Sequence, residues 1–320
     1  MLRRAFMLAS LLAMAVSTSK PVVADAWPQR TVKIIAPIPA GGATDLAARL
    51  FAEGLSQRWG QSVVVENRPG ADAIAGVTSF VNAHDDHVLL FSFAAPISIN
   101  PLIHDKLPYD PARDLVPIAA VIDNFFAIAV SAQTGVQSID KFIAAAQASP
   151  ERFNWAATAG LPHYIFLALQ KKNGLKLTQV PYREFAPALQ DIAENRIQVL
   201  VTAPAILMPA VTSGKARLLM VTNRERSPIA PEVPTAIEAG FPELTFDGVV
   251  GFFGGRDLKT AVRDRIAEDV AVVGASSEVN TRLRAAGVQV RVLNPTQFAA
   301  AIDEQSAKVR EIVSTDKAVR

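Results

Sequence analysis

The sequence predicts an α/β protein with two doubly wound sheets that face each other across a cleft. Three observations lead there. Short apolar runs alternate with longer segments of helical period, the rhythm of parallel strands joined by right-handed crossovers. That rhythm occurs before residue 125 and again after residue 130, with no sequence repeat between the halves. After Gly254 the chain returns to helical patterning, and such a tail needs a sheet to lie on. Placing the tail on the first unit makes the chain cross between units twice. Residues 27–125 and 250–320 then form one domain and residues 126–249 the other. Loops at the carboxyl ends of the strands would face a common cleft.

The chain opens on what reads as a secretory signal peptide, residues 1–26. Arg3 and Arg4 form its basic start, residues 5–16 are apolar apart from Ser10, and Ala24-Asp25-Ala26 offers a small-x-small cleavage pattern. The apolar run is shorter than the ~20 residues a spanning helix needs. Cleavage after Ala26 is therefore expected, with Trp27 starting a mature chain that does not insert into the membrane. This leader holds Arg3, Arg4 and Lys20 against Asp25, which accounts for the whole formal net charge of +2. The neutral remainder offers no general attraction to nucleic acid or anionic lipid. A hydrophobic fraction of 50% excludes a disordered chain. The absence of cysteine excludes disulfides, thiolate nucleophiles and zinc–thiolate sites.

In order, residues 32–36 are a β-branched strand, and 45–59 carry Leu46, Leu50, Leu55 and Trp59 at helical spacing. Residues 63–65 are the next strand, Asn67-Arg68-Pro69-Gly70 a turn, 74–81 a helix and 88–91 a third strand. Apolar stretches at 125–130 and 249–253 bracket the second unit. Inside it, 138–148 and 163–173 pattern as helices, and 154–157, 199–202 and 218–222 as strands. Residues 258–273 and 295–313 complete the tail as helices.

Two strand-to-helix loops carry the chemistry. In Ala36-Pro37-Ile38-Pro39-Ala40-Gly41-Gly42-Ala43-Thr44-Asp45, the glycines allow close approach to the main chain, and Thr44 or Asp45 is placed to cap the helix. Free amides at a first helical turn favour a carboxylate or phosphate. The second loop, Ala157-Thr158-Ala159-Gly160-Leu161-Pro162-His163, offers a hydroxyl, a glycine and a histidine that the helix dipole keeps neutral. A capped turn without any ligand is the plain alternative for each.

Other candidates are weaker. His84-Asp85-Asp86-His87 sits on a turn before a strand rather than at helical metal-ligand spacing, and reads as a solvated turn. Ser138-Ile139-Asp140-Lys141 mimics a serine–lysine nucleophile, but its companion motifs are missing and Ser138 reads as a helix cap. No Gly-x-Ser-x-Gly elbow, P-loop or Gly-x-Gly-x-x-Gly fingerprint occurs. No enzyme activity, metal or cofactor is expected. A secreted α/β hydrolase or lyase working in the same cleft remains the alternative.

Several segments together resemble a known family. They are Trp27-Pro28-Gln29-Arg30, the 37–45 loop, Val64-Val65-Glu66-Asn67-Arg68-Pro69-Gly70-Ala71, Leu107-Pro108-Tyr109-Asp110-Pro111-x-x-Asp114, Val180-Pro181-Tyr182-Arg183 and Pro231-x-Val233-Pro234-Thr235-x-x-Glu238-Ala239-Gly240. In this order they resemble the extracytoplasmic solute receptors of tripartite tricarboxylate transporters, the Bug family. The resemblance implies a type II periplasmic-binding-protein fold that closes on a small organic carboxylate and presents it to inner-membrane transporter subunits. A monomer is expected, and a ligand-sensing accessory role is a further alternative. In this family backbone amides, hydroxyls and ordered waters hold the carboxylate largely without arginine. Carried over by position, the site comprises Ile38, Gly41, Gly42, Thr44, Thr158, Ala159, Gly160 and His163, with Tyr182 and Thr202 on the remaining wall.

Three departures from the family pattern bear on the ligand. Leu161-Pro162 replaces a glycine and serine, which removes a backbone donor and a hydroxyl. Glu184 stands where glycine is common, and His84-Asp85-Asp86-His87 replaces a Pro-Asp-Gly-Tyr turn. These shift the expected ligand from a tricarboxylate to a smaller or partly apolar mono- or dicarboxylate, aromatic ones included.

Overall fold

The computed structural model describes residues 27–158, 160–182 and 185–316. Residues 1–26, expected to form a signal peptide, lie outside the described residues, as do Ala159 and Glu184. The chain first lays down β1 (Val32–Ala36), α1 (Ala43–Trp59), β2 (Val63–Asn67), α2 (Ile74–Val81) and β3 (Val88–Phe93). Three short helices follow, α3 (Ala95–Ser98), α4 (Asn100–Ile103) and α5 (Pro111–Asp114), then β4 (Val116–Asn124). The next stretch runs β5 (Ala127–Ser131), α6 (Ile139–Ala148), β6 (Asn154–Ala157), α7 (Leu161–Asn173), β7 (Thr178–Gln179), α8 (Phe185–Ala193), β8 (Val199–Thr202), α9 (Pro204–Thr212) and β9 (Ala216–Val221). It closes with β10 (Gly248–Gly254), α10 (Thr260–Gly274), α11 (Ser277–Ala285), β11 (Gln289–Leu293) and α12 (Pro295–Asp316).

These strands form two sheets, ordered β11-β4-β10-β3-β1-β2 and β7-β6-β8-β5-β9. The expected parallel pairing holds for β1 with β2 and β3, and for β6 with β7 and β8. It fails at β10, which runs antiparallel between β3 and β4, at β11, which follows the direction of β10 and pairs antiparallel with β4, and at β5, antiparallel between β8 and β9. The reason is topological. Strands β1, β3, β6 and β8 run towards the space between the sheets. A strand that has just crossed starts there and must run away from it. Only Phe125 and Phe126 separate β4 from β5, so the first crossing is nearly one continuous strand. Gly251 lets β10 squeeze in at a register shift, since a Cβ there would lie 2.1 Å from the Ala119 carbonyl oxygen.

Each sheet is covered on both faces, as parallel sheets require. The first buries Phe51, Phe91 and Phe252 on one side and Phe253 and Phe298 on the other. The second buries Phe142, Trp155 and Phe166 on one side and Ala188, Ile192 and Leu207 on the other. Ring contacts such as Phe91 to Phe252 at 5.0 Å and Trp155 to Phe166 at 4.6 Å knit the cores. Helix α12 belongs to both: Phe298 and Ile302 pack on the first sheet, Val309 and Ile312 on the core of the second. Among the described residues no helix is long and apolar enough to cross a membrane.

Candidate functional site

The loop after β1 is organised by one buried carboxylate. Helix α1 starts at Ala43, so Gly42 is its N-cap and carries no side-chain cap. Thr44 and Asp45 therefore lie inside the first turn, a correction to their expected capping role. Asp45 reaches backwards instead, past the N-cap to the residue before it. Its carboxylate accepts from the Gly41 amide at 2.9 Å, Arg49 Nε at 3.0 Å and Asn67 Nδ2 at 2.8 Å. Burial alone would raise this carboxyl, but the three hydrogen bonds hold it below its ordinary value. Asn67 also donates to the Ile38 carbonyl at 3.2 Å, which ties the end of β2 to the loop. Gly41 adopts a φ of 88°, open to glycine at no steric cost.

Two further helices of the second sheet start against the same space. Gly160, with a φ of 84°, is the N-cap of α7, and Ala203 is the N-cap of α9; neither helix has a side-chain cap. Between these starts and α1 lies a cavity of about 770 Å³. Ile38, Gly42, Thr44, Thr158, Gly160 and Thr202 of the expected set all line it. Among the described residues, no lysine, arginine or histidine does. Thr202, at the end of β8, is completely buried, and its hydroxyl has no partner among the described residues. A buried hydroxyl left unpaired in a cavity wall is an invitation to a ligand polar group or water.

Three expected site residues point elsewhere. The Gly41 amide is taken by Asp45, and Gly41 is not among the lining residues. His163 stacks on Trp155 with centroids 5.4 Å apart and faces Gln179 Nε2 across 3.2 Å, and it is not among the lining residues. The Tyr182 hydroxyl donates to Asp191, and burial followed by that carboxylate pushes it up to about 12. Ala159 lies outside the described residues.

Sequence reasoning missed Phe93, Asn124, Phe126, Ile206, Val249 and Gln305, which line the cavity as well. Most sit at the end of a strand or beside a crossing, so strand ends were a usable signal. Gln305 lies in the middle of α12, donates to Ser98 Oγ at 2.5 Å, and had none. At the rim, Gly287 follows α11 with a φ of 80°, and a Cβ there would meet Ile229 Cδ1 at 2.9 Å and Ala205 Cβ at 3.1 Å. Glycine lets the two sheets' rims touch at this point.

The remaining candidates are structural. Asp85, Asp86 and His87 bring ligand atoms within 4.8 Å of one another. His87 is buried rather than solvated, which corrects the reading of that turn. Its Nε2 accepts from the Gln29 amide at 3.1 Å and its Nδ1 meets Asp86 Oδ1 at 2.6 Å, so both ring nitrogens are engaged. Ser138 caps α6, accepting from the Lys141 amide as expected.

Comparison with known proteins places this geometry. The family described as "Tripartite tricarboxylate transporter family receptor" (TctC) matches residues 47–317. A UPF0065 protein of Bordetella bronchiseptica is 29% identical over 306 residues, 95% of this chain and 90% of its own. The solved structure of Rpa4515 of R. palustris with adipate superposes with a TM-score of 0.78 at 26% identity, over 90% of this chain and 98% of that one. MatC from Rhodopseudomonas palustris, solved with bound malate, gives 0.74 at 26% identity, over 90% and 100%. The fold is that of the periplasmic binding proteins, and the chain belongs to the TctC family of tripartite tricarboxylate transporter receptors.

Proposed function

We propose that this protein is a periplasmic receptor that captures a small organic carboxylate between its two sheets and presents it to inner-membrane transporter subunits. One observation carries the reading: a cavity without lining cations among the described residues, bounded by the uncapped starts of α1, α7 and α9, with an unpaired buried hydroxyl at Thr202 in its wall. Amide dipoles at helix starts stabilise an anion in a space that side-chain cations do not reach. The malate and adipate seen in the two R. palustris proteins are of the same chemical class. Ile38, Gly42, Thr44, Thr158, Gly160 and Thr202 would contact the ligand, with Gly41 holding the loop through Asp45. His163 and Tyr182 would reach the ligand only after turning from their present partners.

Closure would swing residues 27–125 with 250–320 against 126–249 about the crossings at Phe125–Phe126 and the segment before β10. The transporter reads the closed form, and differential affinity for the two forms is what couples ligand to output. The mature chain would act as a monomer in the periplasm after removal of residues 1–26. Among the described lining residues a hydrolase reading has no free base: the one carboxylate, Asp45, is already engaged by three donors. Purified protein titrated with carboxylic acids and their esters separates the readings. A receptor at 100 times its Kd gains about 2.7 kcal/mol of stability without forming product. Ester turnover, or no stabilisation by any acid, would overturn the receptor reading.

A further inference from the structure

The three helix starts around the cavity are not equivalent as anion sites. Residues Gly42 to Asp45, which open α1, all line the cavity, and no proline interrupts them. Helix α7 has Pro162 at its second position, which lacks an N–H, and the His163 amide already donates to the Gly160 carbonyl at 3.1 Å. Helix α9 repeats the pattern: Pro204 opens it without an N–H, and the Ile206 amide donates to the Ala203 carbonyl at 3.1 Å. Donors for an anion are thus concentrated at one pole.

The rest of the wall is apolar or neutral. Phe93, Phe126, Leu161, Ile206 and Val249 present carbon, while Thr158, Thr202, Asn124 and Gln305 are uncharged. The one charged lining residue among those described, Asp45, is an anion. A second ligand carboxylate would be desolvated against carbon with no cationic side chain among the described residues and only the donor-depleted starts of α7 and α9 to meet it, an arrangement that buried charges avoid. A flat apolar body, in contrast, would fill that side against two aromatic rings.

We infer that the ligand is a monocarboxylate: its single carboxylate sits at the start of α1, and its uncharged, largely apolar body lies against Phe93, Phe126 and Leu161. The inference rests on the carboxylate-receptor reading and narrows it. Leu161 and Pro162 are its specificity-determining residues, because they close the second pole to an anion.

Calorimetric titration of the ligand-stripped protein tests this with benzoate, phenylacetate, hexanoate, adipate, malate and methyl benzoate. At least one monocarboxylate should bind tenfold or more tightly than adipate and malate, a gap of about 1.4 kcal/mol. Methyl benzoate should not bind. Pro162→Ser restores an N–H and adds a hydroxyl, and should narrow the gap by raising dicarboxylate affinity. Tighter binding of adipate or malate by the unaltered protein would overturn the inference and leave the carboxylate reading standing. An unchanged gap in Pro162→Ser would remove that residue from the specificity argument. Heat from the ester alone, or from none of the acids, would overturn the carboxylate reading itself.

Discussion

The cavity wall and the strand crossings beside it are neighbours in sequence, yet they treat charge in opposite ways. Asn124 lines the cavity, while Asp123, one residue earlier, belongs to an ionic cluster. There Arg291 Nη1 donates to Asp123 Oδ2 at 2.9 Å and to Asp247 Oδ2 at 3.1 Å. Arg224 joins Asp247 to Glu304, and Lys308 pairs with Glu304 at 2.9 Å. These groups come from β4, β11, α12 and the segment between β9 and β10, which meet where the chain crosses. The wall, in contrast, carries no cation among the described residues, and in the proposed reading it would meet an anion with peptide dipoles. The difference suits the two tasks proposed for these regions. Long cationic side chains in the cleft would need to be reordered at each closure, whereas amides at a helix start are already oriented. At the crossings, directional ion pairs hold the geometry about which the sheets would move.

The sharpest way to break the comparison is at Gly42. A Cβ there meets nothing within 4 Å, and its φ of −83° suits any residue, so Gly42→Val should fold normally. Its side chain would occupy the anion pole, and affinity should fall at least about a hundredfold, or about 2.7 kcal/mol, with Tm unchanged. Unchanged affinity by calorimetry would move the anion away from α1.

The crossings give the next effect, through pH. Burial pushes the Asp123 carboxyl up to about 6, with Arg291 opposing it, and one of its oxygens has no partner among the described residues. A raised carboxyl favours the protonated form in the fold. Its stabilisation is complete below about pH 4 and lost as pH rises through about 6. Relative to Asp123→Asn, the unaltered protein should therefore lose about 2 kcal/mol between pH 4 and pH 7. Urea melts at both pH values check this, and a pH-independent difference would show that Asp123 is ionised without penalty.

Thr202→Val is the mildest probe. It deletes a buried hydroxyl that has no partner among the described residues, so the unliganded Tm should hold or rise. Ligand affinity should drop about tenfold if that hydroxyl bonds the ligand. A lowered Tm with intact affinity would make Thr202 a structural residue only.

Much of this architecture was readable in the chain. The helices at 74–81 and 163–173 and the strands at 154–157 and 199–202 fall where periodicity puts them, since each depends on neighbours within a few turns. The two strand-to-helix loops were legible for the same reason, as was the lack of cations in them. The orientation of His163 was not: its ring stacks on Trp155 of the preceding strand β6 and faces Gln179 of β7, an arrangement set by the pairing of β7 with β6. Nor was the burial of His87, which needs Gln29 from 58 residues away.

By itself, then, the sequence determined the strongly periodic elements, the glycine-bearing starts of α1 and α7, and the prolines that strip donors from α7 and α9. These are local properties, set by backbone dihedrals and by which residues possess an N–H. Tertiary structure alone decided that β5 and β10 run antiparallel to their neighbours, and that Asn124, Phe126 and Gln305 reach the cavity. It also decided that Arg224 and Arg291 meet their acidic partners at the crossings. Those outcomes depend on pairings between residues far apart in the chain, such as Arg291 with Asp123, which no local pattern encodes.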